Sequence, residues 1–94
     1  MPYRMIQIEP LSDERWLVTV SGSGTTTQHR VRVSSADVER YGSPTCSSEQ
    51  LLEASFRFLL HRESNTAILS EFELPLISRY FPEYEREIRR YLDE

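Results

Sequence analysis

One stretch constrains the fold of this chain more than any other, the segment 47–63 with the sequence SSEQLLEASFRFLLHRE. Ser47, followed three residues later by Gln50, is typical of a capping box, in which the two residues satisfy each other's backbone amides at a helix start. Each large apolar side chain that the helix buries contributes about 1.5–3 kcal/mol, so the packing of this helix dominates the fold. These side chains recur at helical spacing, at Leu51, Leu52, Phe56, Phe58, Leu59 and Leu60.

The apolar arc of this predicted central helix is wide. Only Glu49, Glu53, Arg57 and His61 form a polar stripe, at intervals of four residues. A narrow apolar stripe needs one covering layer, whereas an arc of this width needs two. We therefore expect a sheet on one side of the helix, and other helices or a second subunit on the other side.

The first half of the chain predicts three strands with a shared apolar face. Tyr3–Ile8, Arg15–Ser21 and Thr25–Ser34 alternate apolar and polar residues with a period of two. Gly22-Ser23-Gly24, between the last two strands, is a hairpin signal. The predicted sheet is an antiparallel meander, and it needs a partner layer on its apolar face. In the third strand that face holds His29, Val31 and Val33.

Short helices are predicted for the remaining segments. Ser35 caps the first of them and Thr66 caps the second, and Pro75 occupies the first turn of the third. The chain shows no linker and no internal repeat, and strands followed by helices indicate an α+β fold in a single domain, 1–94. That fold is a three-stranded antiparallel meander packed on a central helix and two or three shorter C-terminal helices. The predicted short helices are Ser35–Tyr41, Ala67–Glu71, Pro75–Phe81 and Glu83–Leu92.

Composition and charge predict a cytoplasmic protein with no membrane partner. No apolar run approaches the roughly 20 residues of a membrane-spanning helix, and we expect no signal peptide in MPYRMIQIEP. Cys46 is the only cysteine, which excludes an internal disulfide and favours a reducing compartment. The formal net charge of −4 argues against broad binding of nucleic acid, which requires a local excess of cations.

No pattern of residues predicts catalysis, a cofactor or a metal site. The glycine–hydroxyl cluster 21–27 joins two predicted strands, so a hairpin loop is favoured over a phosphate site. Glu53 and His61 share a helical stripe with Glu49 but lie two turns apart, too far for one ion on one helix. Cys46 precedes a helix N-terminus, where a thiol can gain reactivity. An enzyme that uses Cys46 or this stripe is the third-ranked interpretation, and we expect the protein not to be an enzyme.

The stretch 55–85, SFRFLLHRESNTAILSEFELPLISRYFPEYE, resembles a segment of short microbial α+β proteins of unknown function. Those proteins begin with a hairpin and end in helices. The resemblance extends from Trp16 to Tyr84, and it implies no particular activity.

A second, local resemblance is to the helix-turn-helix of tetracycline-repressor-type regulators. It implies a DNA-binding regulator with a degenerate helix-turn-helix at 66–84. Two departures oppose that function, because the intervening segment is several residues short and the positions that would face phosphate hold Glu71, Glu73 and a single cation, Arg79. The resemblance is carried by Leu51, Leu52, Ala54, Phe58 and Leu59 in the first helix, and by Tyr80, Phe81, Pro82, Glu83 and Glu87 at the end of the second.

The leading hypothesis is a small non-enzymatic binding module that docks a protein partner or forms a homo-oligomer. The helical half is rich in large aromatic residues, and aromatic residues with arginine are enriched at protein interfaces. The same side chains would also suit the core around the central helix, and the sequence leaves both interpretations open. The predicted interaction surface consists of Phe58, Phe72, Tyr80, Phe81, Tyr84, Tyr91 and Arg79.

Overall fold

The structure is a computed structural model that describes residues 5–22 and 24–93. A single 3-10 turn, Asn65–Ala67, follows the second α-helix. The strands within the described residues are β1 (Met5–Ser12), β2 (Arg15–Gly22), β3 (Thr25–Arg32) and β4 (Glu71–Glu73). The α-helices are α1 (Ser35–Tyr41), α2 (Ser48–Leu60), α3 (Leu76–Tyr80) and α4 (Tyr84–Asp93).

The first three strands form the predicted antiparallel meander, in the order β1-β2-β3. Val18 pairs with Ile8 on one side and with His29 on the other, so the apolar residues of all three strands meet on one face. The strand predicted to end before Pro10 continues to Ser12, and that prediction is wrong. Proline fits there because β1 is an edge strand, where one side of the backbone needs no hydrogen bond. Residues 3 and 4 of the predicted strand lie outside the described residues.

A fourth strand makes the sheet mixed, so the prediction of three antiparallel strands is correct only for β1–β3. β4 pairs in parallel with β3, with Phe72 opposite Val31. The backbone amide of Arg30 donates to the carbonyl of Ser70 at 2.8 Å, and the amide of Leu74 donates to the carbonyl of Arg32 at 3.0 Å.

The predicted helix Ala67–Glu71 is also wrong, because hydrogen bonds to β3 hold this segment in an extended conformation. The buried ring of His29 donates through Nδ1 to the carbonyl of Leu69 at 2.8 Å. The side-chain amide of Asn65 donates to Thr27 Oγ1 at 3.1 Å. These bonds join residues about 40 positions apart, and they outweigh a weak local helical preference.

The central helix α2 begins at the predicted capping box. The amide of Gln50 donates to Ser47 Oγ at 3.1 Å, and the amide of Ser47 donates to Gln50 Oε1 at 2.9 Å. Both bonds satisfy donors that have no partner within the helix. The predicted helix is therefore confirmed over Ser48–Leu60, and the last three residues of the segment 47–63 lie beyond its end.

Two faces of α2 are covered, as its wide apolar arc predicts. Phe56 packs towards the sheet, with ring centroids 5.4 Å from His29 and 6.2 Å from Phe72. Phe58 packs against α4, with its ring centroid 5.2 Å from that of Tyr84. Residues two positions apart on a helix point about 200° apart, so successive phenylalanines reach opposite layers. The layer opposite the sheet consists of α4 and α1 of the same chain.

The other predicted helices form with ends shifted by about one residue, which is the usual uncertainty of helix boundaries. The cap of α1 is Ser34 rather than Ser35, and its hydroxyl accepts the amide of Asp37 at 3.1 Å. Pro75 opens α3 as predicted. None of the helices in the described part of the chain has both the length and the apolar character needed to cross a bilayer.

A buried pair of hydroxyl groups joins α2 to α4. Ser55 Oγ donates to the carbonyl of Leu51 at 2.7 Å, so the hydroxyl of Tyr84, also 2.7 Å away, donates to Ser55 Oγ. Both side chains are fully buried. Burial raises the pKa of Tyr84 above its ordinary value, because the phenolate would lose its hydration.

We predict that Ser55→Ala destabilises the protein by about 1–3 kcal/mol, because it leaves the hydroxyl of Tyr84 buried without a partner. Tyr84→Phe should destabilise less, by about 0.5–1.5 kcal/mol, because Ser55 keeps its bond to Leu51. The double variant should be more stable than Ser55→Ala alone, since it removes both polar groups. Urea unfolding of the four proteins measures these differences. Losses that simply add in the double variant would show that the pair is not coupled.

Candidate functional site

The structure separates the predicted interaction surface into buried and accessible members. Phe58, Tyr84 and Tyr91 are buried between α2 and α4. The ring of Phe58 meets those of Tyr84 and Tyr91 edge to face, at centroid distances of 5.2 and 5.7 Å. These three residues form the core of the helical layer, so a partner cannot contact them in the folded monomer.

The remaining predicted members lie on or near α3. Tyr80 is 66% exposed and Arg79 is exposed, whereas Phe72 and Phe81 are half-buried. Phe72, Tyr80 and Phe81 line one groove, and Arg79 does not. The accessible part of the predicted surface is therefore this groove, with Arg79 outside it.

The groove has a volume of about 400 Å³ and lies between α3 and the segment that leads into β4. Leu69 and Phe72 line it on the sheet side, and Leu76, Tyr80 and Phe81 line it on the helix side. This volume is within the range of about 300–1,000 Å³ that is typical of ligand pockets. We refer to this feature as the α3–β4 groove.

The groove is open because the elements around it are short. In the extended segment before β4, successive side chains point in opposite directions, so Ile68 is buried and Leu69 is 47% exposed. The bond from His29 to the carbonyl of Leu69 fixes this orientation. On the other side, α3 has only five residues, and none of the described elements covers Tyr80 at its end.

Glu63 is the only charged residue that lines the α3–β4 groove within the described part of the chain. Its carboxylate forms no ion pair or hydrogen bond with a described residue. Burial raises the pKa of the Glu63 carboxyl above its ordinary value, because the charged form is partly desolvated.

Glu63 also lies at the C-terminal end of α2, a position that is unfavourable for a negative charge. Its amide donates to the carbonyl of Leu59 at 2.9 Å, which holds it just beyond the C-terminal end of α2. The C-terminus of a helix carries a partial negative charge and disfavours an anion. Residues that local stability does not favour are commonly found at functional sites.

The sequence missed Glu63 and Leu69 as members of a site. Leu69 lies within the predicted helix Ala67–Glu71, which does not form, so its exposure could not be inferred. Glu63 did leave a signal, because an acidic residue at the C-terminal end of a predicted helical segment is at the unfavourable end of the dipole.

The other candidate residues do not assemble into a reactive site. Cys46 is half-buried and its thiol donates to the carbonyl of Ser47 at 3.2 Å. His61 Nδ1 lies 2.7 Å from the hydroxyl of Tyr91, and Glu53 lies 4.0 Å from Arg57. Across residues 5–22 and 24–93, no group of three histidine, cysteine or acidic side chains is arranged to hold a metal ion.

The segment 66–84, which resembles a helix-turn-helix, has a different structure. It contains β4 and the five-residue helix α3, so two helices joined by a tight turn are not present. No protein-family model, curated protein or solved structure matches the chain. The two resemblances stay predictions, and the function of the groove is inferred from its own geometry.

We predict that Glu63→Gln makes the protein more stable at pH 7. The folded state raises the pKa of this carboxyl, so its charged form destabilises the fold above that pKa. The gain in stability should disappear near pH 3, roughly one unit below the ordinary pKa of a glutamate carboxyl. At that pH the carboxyl is protonated in both the folded and the unfolded protein. Thermal unfolding at both pH values measures the effect.

Glu49→Gln is the matched control for this prediction, because it removes the same charge at the opposite end of α2. Glu49 lies exposed in the first turn of α2, where the helix dipole favours an anion. The control should therefore not gain stability at pH 7. A loss of stability in Glu63→Gln would show instead that this carboxylate stabilises the fold.

Proposed function

We propose that the protein is a non-enzymatic binding module that docks a segment of a protein partner in the α3–β4 groove. The observation that carries the proposal is an open groove of apolar side chains in which the described residues supply one charged group, the carboxylate of Glu63, and no ion-pair partner for it. An apolar site with few, well-placed polar groups is the usual form of a binding pocket.

The exposed side chains of the groove support binding through apolar contact. Tyr80 and Leu69 are large residues that remain 66% and 47% exposed in the monomer. Tyrosine is enriched among the residues that dominate the energy of protein interfaces. Covering these side chains with apolar groups of a partner would remove their surface from water, which is the main driving force of association.

The charge of the groove favours a cationic partner over a second copy of this chain. In a symmetric dimer built on this groove, both Glu63 carboxylates would enter one interface. A lysine or arginine of a different protein would instead neutralise the charge that the groove leaves unpaired. We therefore expect the purified protein to sediment as a monomer.

The free thiol of Cys46 suits a reducing compartment, and we expect the module to act in the cytoplasm.

Selection of peptides from a random library against the immobilised protein tests the proposal. We predict that the selected peptides bind the unaltered protein and lose affinity about tenfold for Leu69→Ser and for Tyr80→Ser, because each change removes roughly half of a large side-chain contact. Both positions are exposed, so the changes should alter stability by no more than about 0.5 kcal/mol. Fluorescence anisotropy with labelled peptides measures the affinities.

Met5→Ser is the matched control, because Met5 lies in β1 away from β4 and is 44% exposed, close to the value for Leu69. Its affinity for the selected peptides should equal that of the unaltered protein. Peptides that bind Leu69→Ser and Tyr80→Ser with unchanged affinity would contradict docking in the α3–β4 groove.

A further inference from the structure

The outer edge of β4 is open. β4 is the last strand of the sheet, and no other described strand pairs with its outer side. The carbonyl of Ser70 and the amide of Leu74 bond to β3. Alternate residues of a strand direct their backbone groups to opposite edges, so Glu71 and Glu73 present theirs to the open side. Such an edge is a template for an additional strand.

The α3–β4 groove lies where the side chains of an additional strand would point. Phe72 extends from β4 towards α2, with its ring centroid 6.2 Å from that of Phe56, and it also lines the groove. Successive residues of a strand point to opposite faces of the sheet. Every second side chain of a strand paired with β4 would therefore lie beside Phe72 and enter the groove.

The other face of β4 carries two glutamates, and each lies opposite an arginine of β3, Glu71 opposite Arg30 and Glu73 opposite Arg32. A lysine or arginine on an added strand would continue this alternation of charge outward from the sheet. Alternation places Glu71 and Glu73 opposite Phe72, on the open face of the sheet, and both are exposed. Glu71 lies 4.0 Å from Arg15, but both side chains are mostly exposed, and such surface pairs are weak. Directly adjacent side chains of opposite charge stabilise paired strands, and like charges destabilise them.

We infer that the partner segment binds as a fifth strand along β4, with apolar residues that enter the groove and alternate with lysine or arginine beside Glu71 and Glu73. The inference rests on the proposed function and specifies its partner. Main-chain hydrogen bonds would provide affinity and the alternating side chains would provide specificity, as in other cases of strand addition.

A second copy of this chain does not meet these requirements through its own edges. Two β4 strands would place glutamates beside glutamates. The other edge strand, β1, has the sequence MIQIEPLS, which contains no lysine or arginine. The acidic charge of β4 therefore opposes pairing between copies and selects a basic strand from another protein.

The test uses a capped heptapeptide in which arginine and valine alternate, and two derivatives of it. One derivative carries N-methyl groups on the valine amides, and the other carries them on the arginine amides. In a strand paired with β4, either the valine amides or the arginine amides face β4, but not both. We expect one derivative to lose at least about tenfold in affinity, because its hydrogen bonds to β4 are blocked, and the other derivative to retain its affinity.

Amide exchange gives a second measurement in the same complex. The amides of Glu71 and Glu73 should exchange more slowly when the parent peptide is bound, because they become hydrogen-bonded. Equal affinities of the two derivatives, loss of binding by both, or unchanged exchange at Glu71 and Glu73 would each overturn strand addition. Absence of binding by the parent peptide would overturn the inferred partner sequence.

Reversal of charge tests the role of the acidic face. Glu71→Lys with Glu73→Lys should weaken binding of the arginine–valine peptide and create binding of a glutamate–valine peptide of the same length. Glu9→Lys with Glu39→Lys is the control, because it changes the net charge equally at exposed positions outside β4 that form no ion pair with a described residue. A control that changes the peptide preference as much as the β4 variant would show that only the overall charge matters.

Failure of this inference can be separated from failure of the proposed function. If library peptides depend on Leu69 and Tyr80 while both methylated derivatives bind equally, docking in the groove stands and strand addition is wrong. If library peptides ignore Leu69 and Tyr80, the proposed function itself is wrong, whatever the heptapeptides do.

Discussion

The fold depends on one helix that buries two opposite faces. Phe56 and Phe58 are two positions apart on α2, and they contact the sheet and α4 respectively. Neither the sheet nor α4 forms the core alone, because each has one apolar face that needs a partner. Arg62, just beyond α2, strengthens the contact between α2 and α4. Its guanidinium lies 3.7 Å from the centroid of the Phe58 ring. It also donates to Glu83, just before α4, and to Glu87 in α4.

The parts of the fold that sequence reasoning predicted are those set by neighbours along the chain. The capping box of Ser47 and Gln50 acts within one turn, and the alternation of the first three strands is visible over about eight residues. The fourth strand could not be predicted in this way. Its conformation depends on hydrogen bonds from His29 and Asn65, which connect segments about 40 residues apart and leave no periodic pattern in 67–73.

The candidate site shows the same limit at the level of single side chains. Phe58 and Tyr80 are both large aromatic residues in predicted helices, and one is fully buried whereas the other is 66% exposed. The difference arises from what lies opposite each residue. Phe58 faces α4, which packs along α2, and Tyr80 ends a five-residue helix that no described element covers. Composition and spacing alone could therefore identify an aromatic-rich half without separating its core from its accessible groove.

The groove and the edge beside it share one structural cause, the shortness of β4 and α3. A longer β4 would offer a flat edge to any exposed strand, and short charged edges are a common protection against that association. Here the three-residue strand carries two glutamates on its open face and directs Phe72 towards the groove. Under the proposed strand addition, the same residues oppose pairing between copies and set the charge that a partner strand would carry. Glu63 adds a third carboxylate on the groove side, at a helix end that does not favour it. Glu71 and Glu73 lie opposite Arg30 and Arg32 of β3, so each glutamate has a cation on its inner side and an open edge on its outer side. Glu63, by contrast, forms no ion pair with a described residue, so the groove side holds the carboxylate that the monomer leaves without a counter-charge.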